Sequence, residues 1–340
     1  MSGKMKSILI IAFLIPLFIM DVISYISLPS NKESEEKVRI KIRPGDALTN
    51  IADSLLHKGL IKEKKLFLFW AVSLGYEKKI KAGVFEIPLG LNYAQVAGFL
   101  AEKGPENLTV TLIEGWPNSR INAALASKLD LDKNKLDSLC ADEIFLQSLN
   151  IRADNMRGWL LPDTYSLSYG MNEKQILRFL AGQTLKIFEA DSAKHSMKRY
   201  GLNIQQVLTM ASIIEGEAVL DEERPFISSV YHNRLKKRMR LQADPTIQFI
   251  IKDKPRRLLY KDLKIESPYN TYLHYGLPPG PINNPGKLSI MAALFPADSK
   301  FIYFVAKGDG SHVFTTNSKD HARAKAAFNR VRRQTARSRK

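Results

Sequence analysis

The sequence predicts an α+β chain in two unequal parts behind a single membrane-spanning helix. Three observations carry this. A long apolar run interrupted by Asp21 lies near the start of the chain, short strand–turn–helix units follow, and long helical stretches then alternate with loops rich in proline, glycine and tyrosine. The 340 residues are 45% apolar and 25% charged, which gives enough material for two modest cores and excludes a disordered or collagen-like chain. Cys140 is the only cysteine, so a disulfide scaffold is excluded as well. Lys plus Arg number 51 against 34 Asp plus Glu, a net charge of +17 that suits an anionic partner: nucleic acid, a lipid surface or an acidic polymer.

Residues 1–6 are short and basic, with Lys4 and Lys6. Residues 7–28 are mostly apolar, with Asp21 as their one charge, and are long enough to cross a bilayer at about 1.5 Å per residue. A cleaved signal peptide is the rival reading, but no small-x-small site follows in DVISYISLPS. With Lys4 and Lys6 before the span and no positive excess after it, the N-terminus is expected in the cytoplasm and the body outside. That topology argues against a nucleic-acid partner. Residues 331–340 form a basic tail, either a solvated end or a contact for an anionic surface.

Residues 29–37 are a polar linker, and residues 38–105 read as a small domain. Val38–Ile42 alternates like a strand, Pro44-Gly45 turns, and Asp46 is expected to cap a helix whose stripe is Leu48, Ile51, Ala52, Leu55 and Leu56. A second helix carries Leu66, Phe67, Trp70, Ala71 and Leu74. Val84–Ile87 reads as a strand, and Asn92 caps a third helix that stops at Gly104-Pro105. IRPGDALTNIADSL from Ile42 has a weak echo in LIEGWPNSRINAAL from Leu112, both of the form strand, Gly turn, helix.

Residues 106–330 form the larger domain. Residues 130–154 are polar and helical, Arg157–Gly170 is an aromatic loop and strand, and one long helix is expected from Glu173 to Tyr200. Asn203 and Gln206 have the spacing of a capping box. The helix they open carries Val207, Leu208, Ala211, Ile214 and Glu215. Glu215 follows Val207 and Ala211 at steps of four, so it shares an apolar face. Desolvation raises the pKa of a carboxyl there, as a general acid requires. A Glu in that setting is also commonly a salt-bridge partner at the rim of a core. Glu217 points about 200° away, given roughly 100° per residue.

Asp221-Glu222-Glu223-Arg224-Pro225 opens a further helix, with Asn233-Arg234 near its end. The loops RLQADPT, SPYNTY and GLPPGPINNPG then supply amides, hydroxyls and tyrosines, groups that hydrogen-bond and stack on sugars. Asp244 and Asn270 can equally be turn caps.

The stretch LTMASIIEGEAVLDEERPFISSVYHNRL, those three loops and FIYFVAKGDGSHVFTTNSKDH together resemble the MltG (YceG-like) family of endolytic murein transglycosylases. The resemblance covers most of the chain. It implies an N-terminal anchor, a small LysM-like domain over 38–105 and a mixed α/β catalytic domain beyond. It also implies cleavage of the β-1,4 bond between MurNAc and GlcNAc in nascent strands, leaving a 1,6-anhydroMurNAc end. The Glu of the ASIxE motif, here Glu215, is then the catalytic acid. Because the C6 hydroxyl of the sugar attacks, a second carboxylate is not required as nucleophile. Glu217, Glu222 and Arg224 match supporting positions, and Asn233, Gln242, Asp244, Thr246, Tyr269, Asn270 and Tyr272 are the expected substrate contacts. No metal and no cofactor is implied. The implied partners are glycan strands, the membrane and peptidoglycan synthases; the implied location is the bacterial inner membrane. One departure stands out: the family has Glu-Gly before its aromatic-PDTY motif, where this chain has Arg157-Gly158. The alternative reading is a non-catalytic peptidoglycan-binding membrane protein.

Overall fold

The computed structural model describes residues 36–251 and 256–338. The span expected over 7–28 lies outside them. Among the described residues no helix is long and apolar enough to cross a membrane. The chain divides into two compact parts, one running to Thr109 and including Ser166–Met171, the other holding Val110–Tyr165 and everything from Asn172 onward.

In the first part, β1 (Lys37–Ile42) pairs antiparallel with β2 (Gly83–Pro88), with Ile40 opposite Phe85. Between them lie α1 (Leu48–His57) and α2 (Lys64–Ser73). Ile40, Ile42, Ile51, Leu55, Phe67, Ala71, Phe85 and Ile87 form one core with Val96 and Leu100 of the next helix. Asp46 does not cap α1. Its carboxylate accepts the Arg43 N–H at 2.7 Å, closing the Pro44-Gly45 turn, and Ala47 takes the N-cap position without a side-chain bond. Asn92 does cap α3 (Tyr93–Gly98), in a full capping box with Gln95. That helix widens into a π-helical turn over Phe99–Lys103 and stops at Gly104.

The second part begins with β3 (Asn107–Thr111), which crosses the division and pairs with β4 (Thr164–Ser168). Gly115 then turns the chain at φ +74°, as Gly45 does at +85°, and α4 (Asn118–Leu129) follows. The echo between the two segments is therefore a shared local shape: strand, left-handed glycine, helix. α5 (Lys133–Leu139) and α6 (Glu143–Ser148) are each capped by an aspartate, Asp132 and Asp142.

The long helix expected over 173–200 is two helices, α7 (Glu173–Glu189) and α8 (Asp191–Tyr200). Ala190 leaves the helical region at ψ 136°, so each half buries its own stripe, Ile176, Leu177, Leu180 and Phe188 in α7 and Ala193 with Ser196 in α8.

Helix α9 (Ile204–Glu217) is the axis of this part. Asn203 and Gln206 close its capping box, and every residue from Val207 to Ile214 is buried. A helix apolar on all sides needs cover on all sides. α10 (Arg224–Lys236), the short α11 (Asp244–Ile250) and α12 (Lys287–Leu294) supply it. A 3-10 turn at Asp221–Glu223 leads into α10, with Pro225 in its first turn. The antiparallel pair β5 (Tyr303–Ala306) and β6 (His312–Thr315) packs with α13 (Ser318–Ser338). Glu223 ties β6 to the 3-10 turn, accepting from the His312 backbone at 2.9 Å and meeting its ring nitrogen at 2.6 Å.

Candidate active site

The site forms where α9 ends. A helix buried this thoroughly has few places for a carboxylate, and Glu215 sits in the last turn, its side chain 8% exposed. Two donors reach it. The backbone N–H of Gly286, just before α12, bonds Oε2 at 2.9 Å, and Arg224 Nη1 lies 3.3 Å from Oε1. Arg224 is itself buried, 5% exposed, at the start of α10. Its other contacts hold it in place: Nε donates to Asp221 at 2.9 Å and Nη1 donates to Ser289. A guanidinium presents a rigid planar fork, so this arrangement fixes the orientation of Glu215 as well as its countercharge.

A third carboxylate enters here that the sequence reading did not single out. Glu114 Oε2 is 3.8 Å from Arg224 Nη2, and its side chain is 43% exposed. Burial lifts the Glu114 carboxyl above its ordinary value and the neighbouring Glu215 adds to this, against the pull of Arg224. The two carboxylates differ in setting: Glu215 is enclosed and bonded, while Glu114 reaches the surface. Gly286 makes this possible, because a Cβ there would come within 1.8 Å of Glu114 Oε1. The Glu-Gly-Trp sequence after β3 was the available signal, but its partner lies a hundred residues on.

Asn284 locks the loops around this group. It is fully buried. Its Oδ1 accepts the N–H groups of Gly158 and Leu160 at 2.9 and 3.2 Å. Its Nδ2 donates to Trp116 O and Asn118 Oδ1 at 2.8 and 2.9 Å. One side chain thus joins the Glu-Gly-Trp turn, the WLLPDTY segment and the GLPPGPINNPG loop.

Glu217, on the other side of the helix end, belongs to a second cluster. Tyr231 donates to its carboxylate at 2.9 Å. Burial pushes Glu217 up to about 7, helped by the charge of Asp244 and opposed by the hydrogen bonds from Tyr231 and the Asp244 backbone. Asp244 in turn accepts from Tyr272. Gly216 leaves room for this, since a Cβ there would lie 2.6 Å from Pro245.

The remaining expected contacts fall into two groups. Gln242, Asp244 and Tyr272 surround the Glu217 cluster, with Arg234 Nη1 3.5 Å from Gln242 Oε1. Tyr269 packs on Phe249 with ring centroids 4.8 Å apart. Arg157 lies over that same Phe249 ring at 4.7 Å and donates to Pro281 O at 3.4 Å, which makes it part of an aromatic wall. Three others hold the loops and are committed to protein partners. Asn233 donates to Ser299 O and Phe301 O, and Asn270 to Leu263 O and Ile265 O. Thr246 is buried, bonded to Ala243 O and Thr271. Glu222 is exposed on the 3-10 turn, where its neighbours Asp221 and Glu223 make the contacts instead.

Glu215 enclosed at a helix end, paired with a fixed guanidinium and with Glu114 nearer the surface, forms a carboxylate–guanidinium cluster of the kind acid–base chemistry can use. The chain belongs to the YceG-like family, which it matches over residues 40–327. It is 34% identical to an endolytic murein transglycosylase of Bacillus subtilis over 317 residues, covering 88% of this chain and 87% of that protein. An endolytic murein transglycosylase of Streptococcus pneumoniae (strain D39) is 26% identical over 330 residues, which span 87% of this chain but only 59% of that longer protein. The crystal structure of a yceG-like protein from Listeria monocytogenes, at 2.6 Å, superposes with a TM-score of 0.59 at 29% identity, covering 85% of this chain and 99% of that one.

Proposed function

We propose that this protein is a peptidoglycan lytic transglycosylase that cuts glycan strands internally at the MurNAc-β-1,4-GlcNAc bond, with Glu215 as its general acid and base. The observation that carries the assignment of Glu215 is its pairing with Arg224 and the Gly286 N–H at the end of a buried helix. In the reaction, Glu215 first takes up a proton and then gives it to the glycosidic oxygen as the C1–O4 bond breaks. The C6 hydroxyl oxygen bonds to C1, and the carboxylate left on Glu215 takes the hydroxyl proton. Protons balance, and the product carries a 1,6-anhydro ring. Arg224 and the Gly286 N–H both favour the carboxylate formed midway, which is the stage where charge develops. Glu114, Asp244, Tyr269 and Tyr272 supply polar and aromatic surface for the sugars.

The same reading extends to the rest of the chain. The first part has two antiparallel strands enclosing two helices, which supports a LysM-like, glycan-binding unit. The apolar residues 7–28 support a single anchor in the inner membrane with the body outside, beside the peptidoglycan synthases whose strands it would trim.

The test is product analysis. Full-length protein in detergent is incubated with uncrosslinked strands, beside Glu215→Gln, and the ends are weighed by mass spectrometry. Ends one water lighter than hydrolysis products, absent with the variant, are expected. Reducible, hydrolysed ends would overturn the mechanism, and cleavage retained by the variant would overturn the assignment of Glu215.

A further inference from the structure

A cavity in the second part lies away from Glu215, at the end of α9 where that helix begins. It is about 1200 Å³ and is lined by Arg152, Arg199 and Lys236, with Gln206 from the first turn of α9. All three cations are exposed, and Asp298 is the one acid among the lining residues. Its wall is built. His232 packs against Tyr200 with ring centroids 4.3 Å apart and donates through Nε2 to Ala293 O at 2.9 Å, while Pro278, Pro279 and Pro296 stiffen the rim. Burial pulls the His232 pKa down. The cavity therefore offers an excess of cations together with the amides of Asn203, Gln205 and Gln206. A carboxylate-rich peptide, which carries both anions and N–H donors, matches that set better than a sugar does.

The cavity also shares residues with a neighbouring hollow. A smaller hollow of about 150 Å³ shares Arg152, Gln205 and Pro279 with it and adds Arg157 and Tyr269. One loop, Gly276 to Gly286, runs from the large cavity past this hollow to the N–H that holds Glu215. Along α9 itself, Gln205 and Glu215 are separated by about 15 Å at 1.5 Å per residue. A branch on a strand held at Glu215 could reach the cations.

We infer that this cavity is a binding site for the carboxylate-bearing stem peptides of the glycan strand, with Arg152 and Arg199 as the residues that read the carboxylates. The inference rests on the lytic reading of the Glu215 site. It makes the enzyme selective for strands that still carry their peptides.

The test uses full-length protein in detergent and two substrates, strands with stem peptides and strands stripped of them, beside the double variant Arg152→Gln/Arg199→Gln. Wild type should show a KM lower by at least about fivefold for peptide-bearing strands, which corresponds to a modest gain in binding. The double variant should lose most of that preference and keep wild-type kcat and KM on stripped strands. Equal KM values for the two substrates in wild type would overturn the inference, as would a variant that weakens both alike. Calorimetry with the free stem tripeptide separates this from the lytic reading because it needs no cleavage. If no strand is cut yet the tripeptide binds in a manner dependent on salt and on Arg152 and Arg199, the lytic reading fails and the peptide site stands. A tripeptide that does not bind, or inorganic phosphate that binds as tightly, would remove it.

Discussion

Gly286 donates its backbone N–H to Glu215 Oε2 at 2.9 Å, and the space where its Cβ would be is occupied by Glu114. One residue thus holds one carboxylate and admits another. Its φ of −70° is open to any residue, so alanine at this position tests space alone. The atom in the way is the far end of a flexible side chain, so Glu114 should swing out while the backbone stays. We expect Gly286→Ala to lower kcat by at least about tenfold, some 1.4 kcal/mol in barrier, with a melting temperature close to wild type. In a Glu114→Ala background the same change should have little further effect, as a double-mutant cycle on kcat would read. A full additional loss there would mean that Gly286 acts on Glu215 alone.

Arg224 supplies the countercharge for an enclosed Glu215, so its removal should show in stability before any assay of activity. Replacing it by methionine leaves Glu215 buried and unpaired, and Asp221 and Ser289 lose their donor. Breaking a buried pair from one side costs about 3–5 kcal/mol. Urea unfolding of Arg224→Met should show a loss of that order. Adding Glu215→Gln should recover part of it, because the orphaned charge is gone. If the double variant were no more stable than the single one, the pairing would contribute nothing and the loss would be one of packing.

How much of this was legible in the sequence depended on distance along the chain. Asn203 with Gln206 announced its helix because both partners of a capping box lie within four residues, and Asn92 announced another as a cap by residue type, its partner Gln95 appearing only in the structure. The place of Glu215 on an apolar helix face was legible, but that place suits a salt bridge as well as an acid, and its assignment as the acid rested on the motif around it. Arg224 is nine residues from it, and its motif pointed to a supporting role, but nothing local said that its guanidinium turns back to Glu215. Glu114 and Asn284 were missed because their contacts span a hundred residues or more, from Glu114 to the α9 and α10 ends and from Asn284 to Trp116. The break at Ala190 was missed for a different reason: alanine is the best helix former, and only the separate packing of α7 and α8 bends the chain there. Asp46 was a sound cap by residue type, but the tighter turn to Arg43 took its carboxylate.

Glu217 should make the stability of the fold depend on pH. Its carboxyl rises from 4.5 to about 7 in the folded chain. Below about 4.5 both folded and unfolded chains hold the neutral acid. Between there and about 7 the unfolded chain releases the proton while the folded chain retains it, so stability falls as pH rises through this window and levels off above it. The loss is on the order of 3 kcal/mol. Glu217→Gln keeps the hydrogen-bonding shape without the charge. Urea midpoints at pH 5 and pH 8 should converge for the variant and diverge for wild type, the wild type being weaker at pH 8. A wild type that gains stability relative to the variant on going from pH 5 to pH 8 would mean that Glu217 is ionised comfortably in the fold.

Asn284 offers a separate test of how the site is assembled, because it carries no charge and lies behind the reacting groups. Its two acceptor bonds satisfy the N–H groups of Gly158 and Leu160, and its two donor bonds satisfy Trp116 O and Asn118 Oδ1. Alanine would strand two buried N–H groups, at about 1–3 kcal/mol each. Aspartate would keep the acceptor for those N–H groups but set a carboxylate against two oxygens. Asn284→Ala should therefore lose roughly 2–6 kcal/mol. Asn284→Asp should recover stability only as pH falls and its carboxyl takes a proton, since the neutral acid regains one donor. Activity should follow the same order, because the loop Asn284 ties down also carries the Gly286 N–H that bonds Glu215. A stable Asn284→Ala protein with wild-type kcat would show that the loop is held by other contacts, chiefly Ile282 N–H to Ser212 at 3.0 Å and Asn283 to Ser212 O at 2.9 Å.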